Sequence, residues 1–215
     1  TLIDGAQDNP RARGPFLNKI HDNAQRLQKL VQDLLNLSQL ESRIAPRAEP
    51  LLVRDVVQSA WNDHREAADA KGLRFENRIP PGLTWRMEPR DLDLMIGNLV
   101  GNAVKYSFPA GKVRIDWSEA TRTLGVRNAG KGIPPQDLPH IFERFYRDGA
   151  ARASNEGTGL GLAIVKHAAQ RYGIAVAAES RLGEGSRFTL QPPERLIEET
   201  GRLRRQTDDP HTATP

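Results

Sequence analysis

The stretch DLDLMIGNLVGNAVKYS, residues 91–107, decides the reading of this chain. On an α-helix, which advances about 100° per residue, Asn98, Asn102 and Lys105 fall on one narrow stripe at i, i+4 and i+7. Leu92, Met95, Ile96, Leu99, Ala103 and Val104 cover a broad arc on the other side, so the spacing predicts an amphipathic helix with its apolar face in a core. Asparagine is a mediocre helix former, because its side chain competes for backbone hydrogen bonds. Glu, Lys or Arg would serve a merely solvated face better. A carboxamide oxygen is a neutral hard ligand that holds Mg²⁺ without cancelling its charge, and lysine meets phosphate as a point charge. The stripe is therefore a candidate site for a magnesium-bound phosphate ligand; a surface stripe that holds nothing is the alternative.

Upstream, from 15 to 44, Phe16, Ile20, Ala24, Leu27, Val31 and Leu34 recur at intervals of three and four, widened by Leu30, Leu37 and Leu40. This predicts a long helix with a heptad-like seam whose partner is another helix. Asp8-Asn9-Pro10 reads as a turn, and residues 1–7 as the tail of an antiparallel neighbour already under way, so the chain is expected to be part of something longer. A hairpin with most of one arm missing should dimerise, splay or lean on the domain C-terminal to it.

After the Pro-bounded linker at 45–50 the pattern becomes mixed. It predicts an extended piece at 51–53, a helix over 54–71, and strands over 73–79 and 83–87 joined by Pro80-Pro81-Gly82. A strand pair at 112–118 and 123–127 comes after the central helix. Then come a Gly-rich turn (128–133), a short helix through Phe145, a glycine cluster at 156–161 opening a helix over 162–172, and strands over 174–179 and 187–191. The expected fold class is α+β, a two-layer α/β sandwich with helices on one mixed sheet, preceded by a partial helical hairpin. The expected units are 1–46, 47–192 and a polar, frayed tail at 193–215 with a helical turn or two near 194–205.

The 215 residues carry a net charge of +4, with 31 basic and 27 acidic side chains scattered rather than blocked, so no nucleic-acid stripe is expected. Cysteine is absent, which excludes disulfides, thiolate nucleophiles and Cys-ligated zinc. No run of about 20 apolar residues predicts a membrane-spanning helix.

Two glycine clusters invite phosphate readings. Residues 125–132 nearly spell a P-loop, but Gly132 stands where that motif needs a hydroxyl. GTGLGL at 157–162 misses the dinucleotide fingerprint, since Ile164 replaces its third small residue. Alternate glycines running into a helix still offer unhindered amides and a positive helix end as a phosphate seat; a flexible turn is the competing reading.

Taken together, NLVGNAVKYS (98–107), NAGKGI (128–133), IFERFYR (141–147), GTGLGL (157–162) and GEGSRF (183–188) resemble, in order and spacing, the asparagine box, glycine boxes, phenylalanine box and final glycine turn of two-component sensor histidine kinases. The resemblance covers 50–191, and FLNKIHDNAQRLQKLVQDLLNLSQLES resembles the second helix of that family's dimerisation and phosphoacceptor hairpin. It implies the Bergerat-type ATP-binding fold of the gyrase, Hsp90, histidine kinase and MutL superfamily, with ATP and Mg²⁺ bound. By resemblance Asn102 ligates Mg²⁺ with Asn98 beside it, Lys105 and Arg147 meet phosphate, and Tyr106 borders the nucleotide. Asn128 faces the adenine amino group, Gly130 and Gly132 let backbone approach the base with Ile133 also among the nucleotide-binding residues, and Gly157, Thr158, Gly159, Leu160, Gly161 and Leu162 wrap the phosphates. Residues 134–156 form the lid. The implied catalytic residues are Asn98, Asn102 and Lys105, and the implied partners are a response regulator receiver domain and a second copy of the chain. A cytoplasmic location behind a membrane anchor is also implied.

Two departures stand out. The family's adenine contact is usually aspartate, whereas Asn128 accepts without a full charge. The phosphoacceptor histidine of the family lies in the first hairpin helix, expected before Thr1. His21 falls at an ordinary position of the second helix and reads as a surface residue, as do His64, His140, His167 and His211. An ATP-hydrolysing relative would place a glutamate base where Asn98 stands, and a non-catalytic nucleotide module is the further alternative.

Overall fold

The computed structural model of the protein describes residues 10–41, 47–147 and 157–199. A 32-residue helix, α1 (Pro10–Glu41), leads into β1 (Glu49–Leu52), α2 (Val53–Asp63), α3 (Arg65–Ala70), β2 (Arg74–Arg78) and β3 (Leu83–Met87). Next are the central helix α4 (Pro89–Tyr106), β4 (Lys112–Ser118) and β5 (Thr123–Asn128), then α5 (Gly161–Tyr172), β6 (Ala175–Arg181), β7 (Gly185–Gln191) and β8 (Ile197–Glu199).

Helix α4 begins with Pro89 in its first turn, where a missing N–H costs nothing. It buries the predicted arc of Leu92, Met95, Ile96, Leu99, Ala103 and Val104. It packs between α2 and α5, and all three helices share one core with Val113, Ile115, Leu124, Val126 and Leu190 from the sheet. That sheet runs β2-β4-β5-β7-β6, parallel at β2/β4 and antiparallel elsewhere. The α+β architecture with helices on a mixed sheet is as expected. The alternation Val113, Ile115 against Lys112, Arg114 turns one sheet face to the helices and leaves the other charged, with Glu76 accepting from Lys112 Nζ at 2.5 Å and Arg114 Nε at 2.9 Å.

The chain departs from the sequence expectations in four places. The helix over 54–71 is broken at His64 into α2 and α3. The strands flanking Pro80-Pro81-Gly82 do not pair with each other. β2 joins the large sheet, while β3 lies in a second, three-stranded sheet of order β1-β3-β8, because the prolines steer the chain out of the first layer instead of closing a hairpin. The short helix through Phe145 is a ladder of separate turns, in which the amides of Asp137, His140, Glu143 and Tyr146 each reach a carbonyl three residues back. The tail expected from 193 instead forms a 3₁₀ turn at Glu194–Leu196 and then β8, which pairs with β3 through Ile197↔Trp85, so the folded unit runs past 192.

Helix α1 starts at Pro10 and carries Pro15 within it. Of its predicted seam, Leu37 and Leu40 are buried where α1 packs on α5, while Ile20, Leu27, Val31 and Leu34 are exposed. It thus leans on the C-terminal domain by its last turns. The expected neighbouring helix at 1–7, the rest of the lid at 148–156, His211 and the tail beyond 199 lie outside the described residues.

Candidate functional site

Asn98 Nδ2 donates to Leu94 O one turn back at 2.7 Å, which fixes the carboxamide and leaves Oδ1 facing the head of α5. A Cβ on Gly161 would stand 2.6 Å from Asn98 Oδ1, so any larger residue there would push this carboxamide aside. One turn on, the Asn102 carboxamide forms no hydrogen bond among the described residues. Lys105 completes the stripe: its Nζ would lie 3.3 Å from a Cβ on Gly157, so the ammonium touches the start of the glycine strap. Lys105 Nζ and Lys131 Nζ stand 5.3 Å and 5.1 Å from the Tyr106 ring centroid, within cation–π reach.

The strap from 157 to 161 takes left-handed backbone at Gly157 (φ 79°) and Gly159 (φ 73°), conformations that side chains with a Cβ resist. It brings the positive end of the 12-residue α5, where no side chain caps the first turn among the described residues, to the side of α4. The floor is the end of β5, where Asn128 is 9% exposed. Beyond it the chain turns through Gly132 (φ 73°), and Ile133 N donates to Ser180 Oγ at 2.8 Å.

The far wall is α1. Thr158 Oγ1 donates to the buried Asp33 Oδ2 at 2.6 Å, Arg90 Nη2 donates to Asn36 Oδ1 at 2.7 Å, and Arg144 pairs with Glu41. Between these walls lies a cleft of about 1700 Å³, larger than an ordinary small-ligand pocket. Asp93 borders it, and burial, aided by Asp63, raises its pKa.

Of the residues singled out from the sequence, all but Gly130 and Leu160 line this cleft. Leu160 is fully buried in the core, so only its backbone belongs to the strap. Gly130 instead packs beneath the site, with no room for a Cβ against Tyr106 O. Thr158 is in the cleft, but its hydroxyl is committed to Asp33. Among the described histidines, His64 lines the cleft beside the stripe and the others stand apart from it. His21 is exposed and bonds Gln25, His140 meets Glu143 at 2.7 Å, and His167 accepts from Arg144 at 3.1 Å with its pKa lowered by burial and then by that guanidinium. His64 abuts Gly101. Sequence reasoning missed Lys131, although it sits inside the first glycine cluster. It also missed Asp33 and Lys71, for which no local pattern gives a signal.

Among the described residues no group of three or more His, Asp or Glu side chains could hold a metal. Asn102 offers one neutral oxygen, which suits Mg²⁺ shared with phosphates and water better than a protein-only cage.

The family described as histidine kinase-, DNA gyrase B-, and HSP90-like ATPase matches residues 87–196. The phosphate regulon sensor protein PhoR of Pseudomonas aeruginosa is 38% identical over 194 residues, covering 88% of this chain and 44% of PhoR. The chain thus spans less than half the length of that curated relative. Among solved structures, full-length ShkA in complex with AMPPNP superposes with a TM-score of 0.69 at 25% identity, over 89% of this chain and 40% of ShkA. The mycobacterial sensor histidine kinase MprB gives 0.59 at 26% identity, over 68% of this chain and 99% of that one.

Proposed function

The chain belongs to the histidine kinase-, DNA gyrase B- and HSP90-like ATPase family, and from that premise we propose that it is the catalytic portion of a sensor histidine kinase. It binds MgATP in the cleft beside α4 and transfers the γ-phosphoryl group to a histidine for relay to an aspartate of a response regulator. The observation that carries this reading is the meeting of the α4 stripe with the glycine strap. Asn98 Oδ1 faces Gly161 and Lys105 Nζ faces Gly157, where a Cβ would stand 2.6 Å and 3.3 Å from them.

Each part has a chemical role there. The Asn102 oxygen holds Mg²⁺, which neutralises charge on the phosphates when bound. Lys105 and the amides at the head of α5 orient and stabilise the phosphoryl oxygens, the main task in a loose transition state. Asn128 accepts from the adenine amino group. A neutral imidazole needs no general base, and Asn98 supplies none, so histidine rather than water is the acceptor. A complete hairpin would pair two copies, covering the exposed leucines of α1. Among the described residues no helix is long and apolar enough to cross a membrane, and a membrane anchor belongs to the same proposal.

Incubation with γ-labelled ATP, with and without a separate acceptor hairpin bearing a phosphoacceptor histidine, tests the reading. Label on the hairpin, lost in Asn102→Ala, is expected. Strong self-labelling that disappears in His21→Ala would overturn it.

A further inference from the structure

We propose that Lys71 is a positioning residue of this nucleotide site, acting through the last turn of α4. The proposal rests on the nucleotide reading and deepens it.

The last four carbonyls of a helix have no partner within it, and together they form its negative end. In α4 these are the carbonyls of residues 103–106, the turn that carries Lys105 and Tyr106. Each is accounted for. Ser107 Oγ donates to Ala103 O at 2.6 Å. Lys71 Nζ donates to Val104 O at 3.0 Å and Lys105 O at 2.6 Å, and reaches Ser107 O at 3.4 Å. Tyr106 O lies against the Gly130 backbone, too close for any Cβ. An ammonium has three donors, and Lys71 spends all three on one helix end. Its own carbonyl accepts from Ala110 N at 2.7 Å, which ties the loop after α4 to the same residue.

This arrangement answers an electrostatic difficulty. Phosphates seated beside Lys105 lie along the C-terminal half of α4, the end of a helix that repels anions. A part-buried ammonium on those carbonyls offsets that negative end and fixes the backbone from which Lys105 and Tyr106 project. Lys71 touches no phosphate in this scheme and acts only through the α4 terminus.

The charge argument makes a prediction that simple loss of a cap does not. In calorimetric titrations of the whole chain with adenosine, AMP, ADP and ATP in Mg²⁺, Lys71→Met should leave adenosine affinity unchanged and weaken binding progressively with phosphate number. The expected loss reaches roughly tenfold for ATP, the scale of a partly buried charge on a helix terminus. Lys71→Arg should recover only part of it, because a planar guanidinium cannot converge on three carbonyls as an ammonium does. The double variant with Lys105→Met should lose less than the product of the two single losses. A uniform loss across the four ligands, or independent losses in the double variant, would overturn the role of Lys71. A wild-type chain that binds none of the four would overturn the nucleotide reading itself.

Discussion

Thr158 Oγ1 and Asp33 Oδ2 lie 2.6 Å apart, joining the glycine strap to a helix 125 residues earlier in the chain. The carboxylate is buried and only loosely accompanied by Lys29 at 3.7 Å, so negative charge is held beside a loop suited to meet phosphate. Asp33→Ala should untie the strap and remove that charge. MgATP affinity measured by calorimetry is expected to rise by roughly three- to tenfold, a gain of about 1 kcal/mol; a weaker complex would mean that α1 supports the bound state.

Asn102→Ala should remove the magnesium-dependent part of nucleotide binding and spare the rest. Titrated with ATP in Mg²⁺, the variant is expected to bind about tenfold or more weakly, as befits loss of a metal contact. With EDTA present, variant and wild type should coincide. A deficit of equal size with EDTA would place Asn102 on the nucleotide rather than on the ion.

Asn128→Asp restores the acceptor expected at the adenine. A charge-assisted hydrogen bond is about twice as strong as a neutral one, so nucleotide should bind several-fold more tightly. The site is buried, and without ligand an ionised carboxylate there is costly. The free variant should therefore melt below wild type and the bound one recover, which a thermal-shift series with and without ATP reads directly.

Gly132→Ala should fail through its backbone. Its φ is 73°, and a Cβ would stand 2.1 Å from Arg181 O, at the seam between the β5 exit and the end of β6. A strained left-handed residue plus a forced main-chain shift costs about 2–4 kcal/mol. A fall of roughly 5–15 °C in the melting temperature by circular dichroism is expected.

Glu76 gives a pH signature on the charged sheet face. Hydrogen bonds from Lys112 and Arg114, with Arg78 nearby, hold its pKa down at about 2 against an ordinary 4.5. A depressed folded-state pKa stabilises above the ordinary value and stops doing so as pH falls through the folded one. The melting-temperature gap between wild type and Glu76→Gln should be full at pH 7 and shrink steadily from about pH 4.5 towards pH 2. A gap that stayed constant over that range would show that Glu76 acts by packing alone.

The central helix was legible because its two faces differ so sharply in chemistry. The apolar arc from Leu92 to Val104 is buried as its spacing requires, and the opposite stripe opens on a cleft. Local glycine patterns likewise located the strap. What the sequence concealed was non-local. Nothing near Pro80-Pro81-Gly82 says that the strands on either side enter different sheets, because that depends on β1 and β8, both far from this turn along the chain. Leu160 looked like part of a phosphate loop because its neighbours are glycines, yet apolar burial claimed its side chain. Lys71 and Asp33 act on elements distant in sequence, and a lone charge at a helix end or on a long helix carries no pattern.

The β1-β3-β8 arrangement lays the first and last strands of the folded unit on either side of one shared strand, about 10 Å apart across the sheet, with Glu49 opposite Met87 and Glu199 opposite Leu83, about 13 Å apart along it. Domains with such close ends tolerate circular permutation. Splicing 199 back to 49 through a linker of about five residues and opening the β4–β5 turn near Ala120 would yield a rearranged polypeptide that keeps the α4 stripe and the glycine strap but lacks the α1 wall.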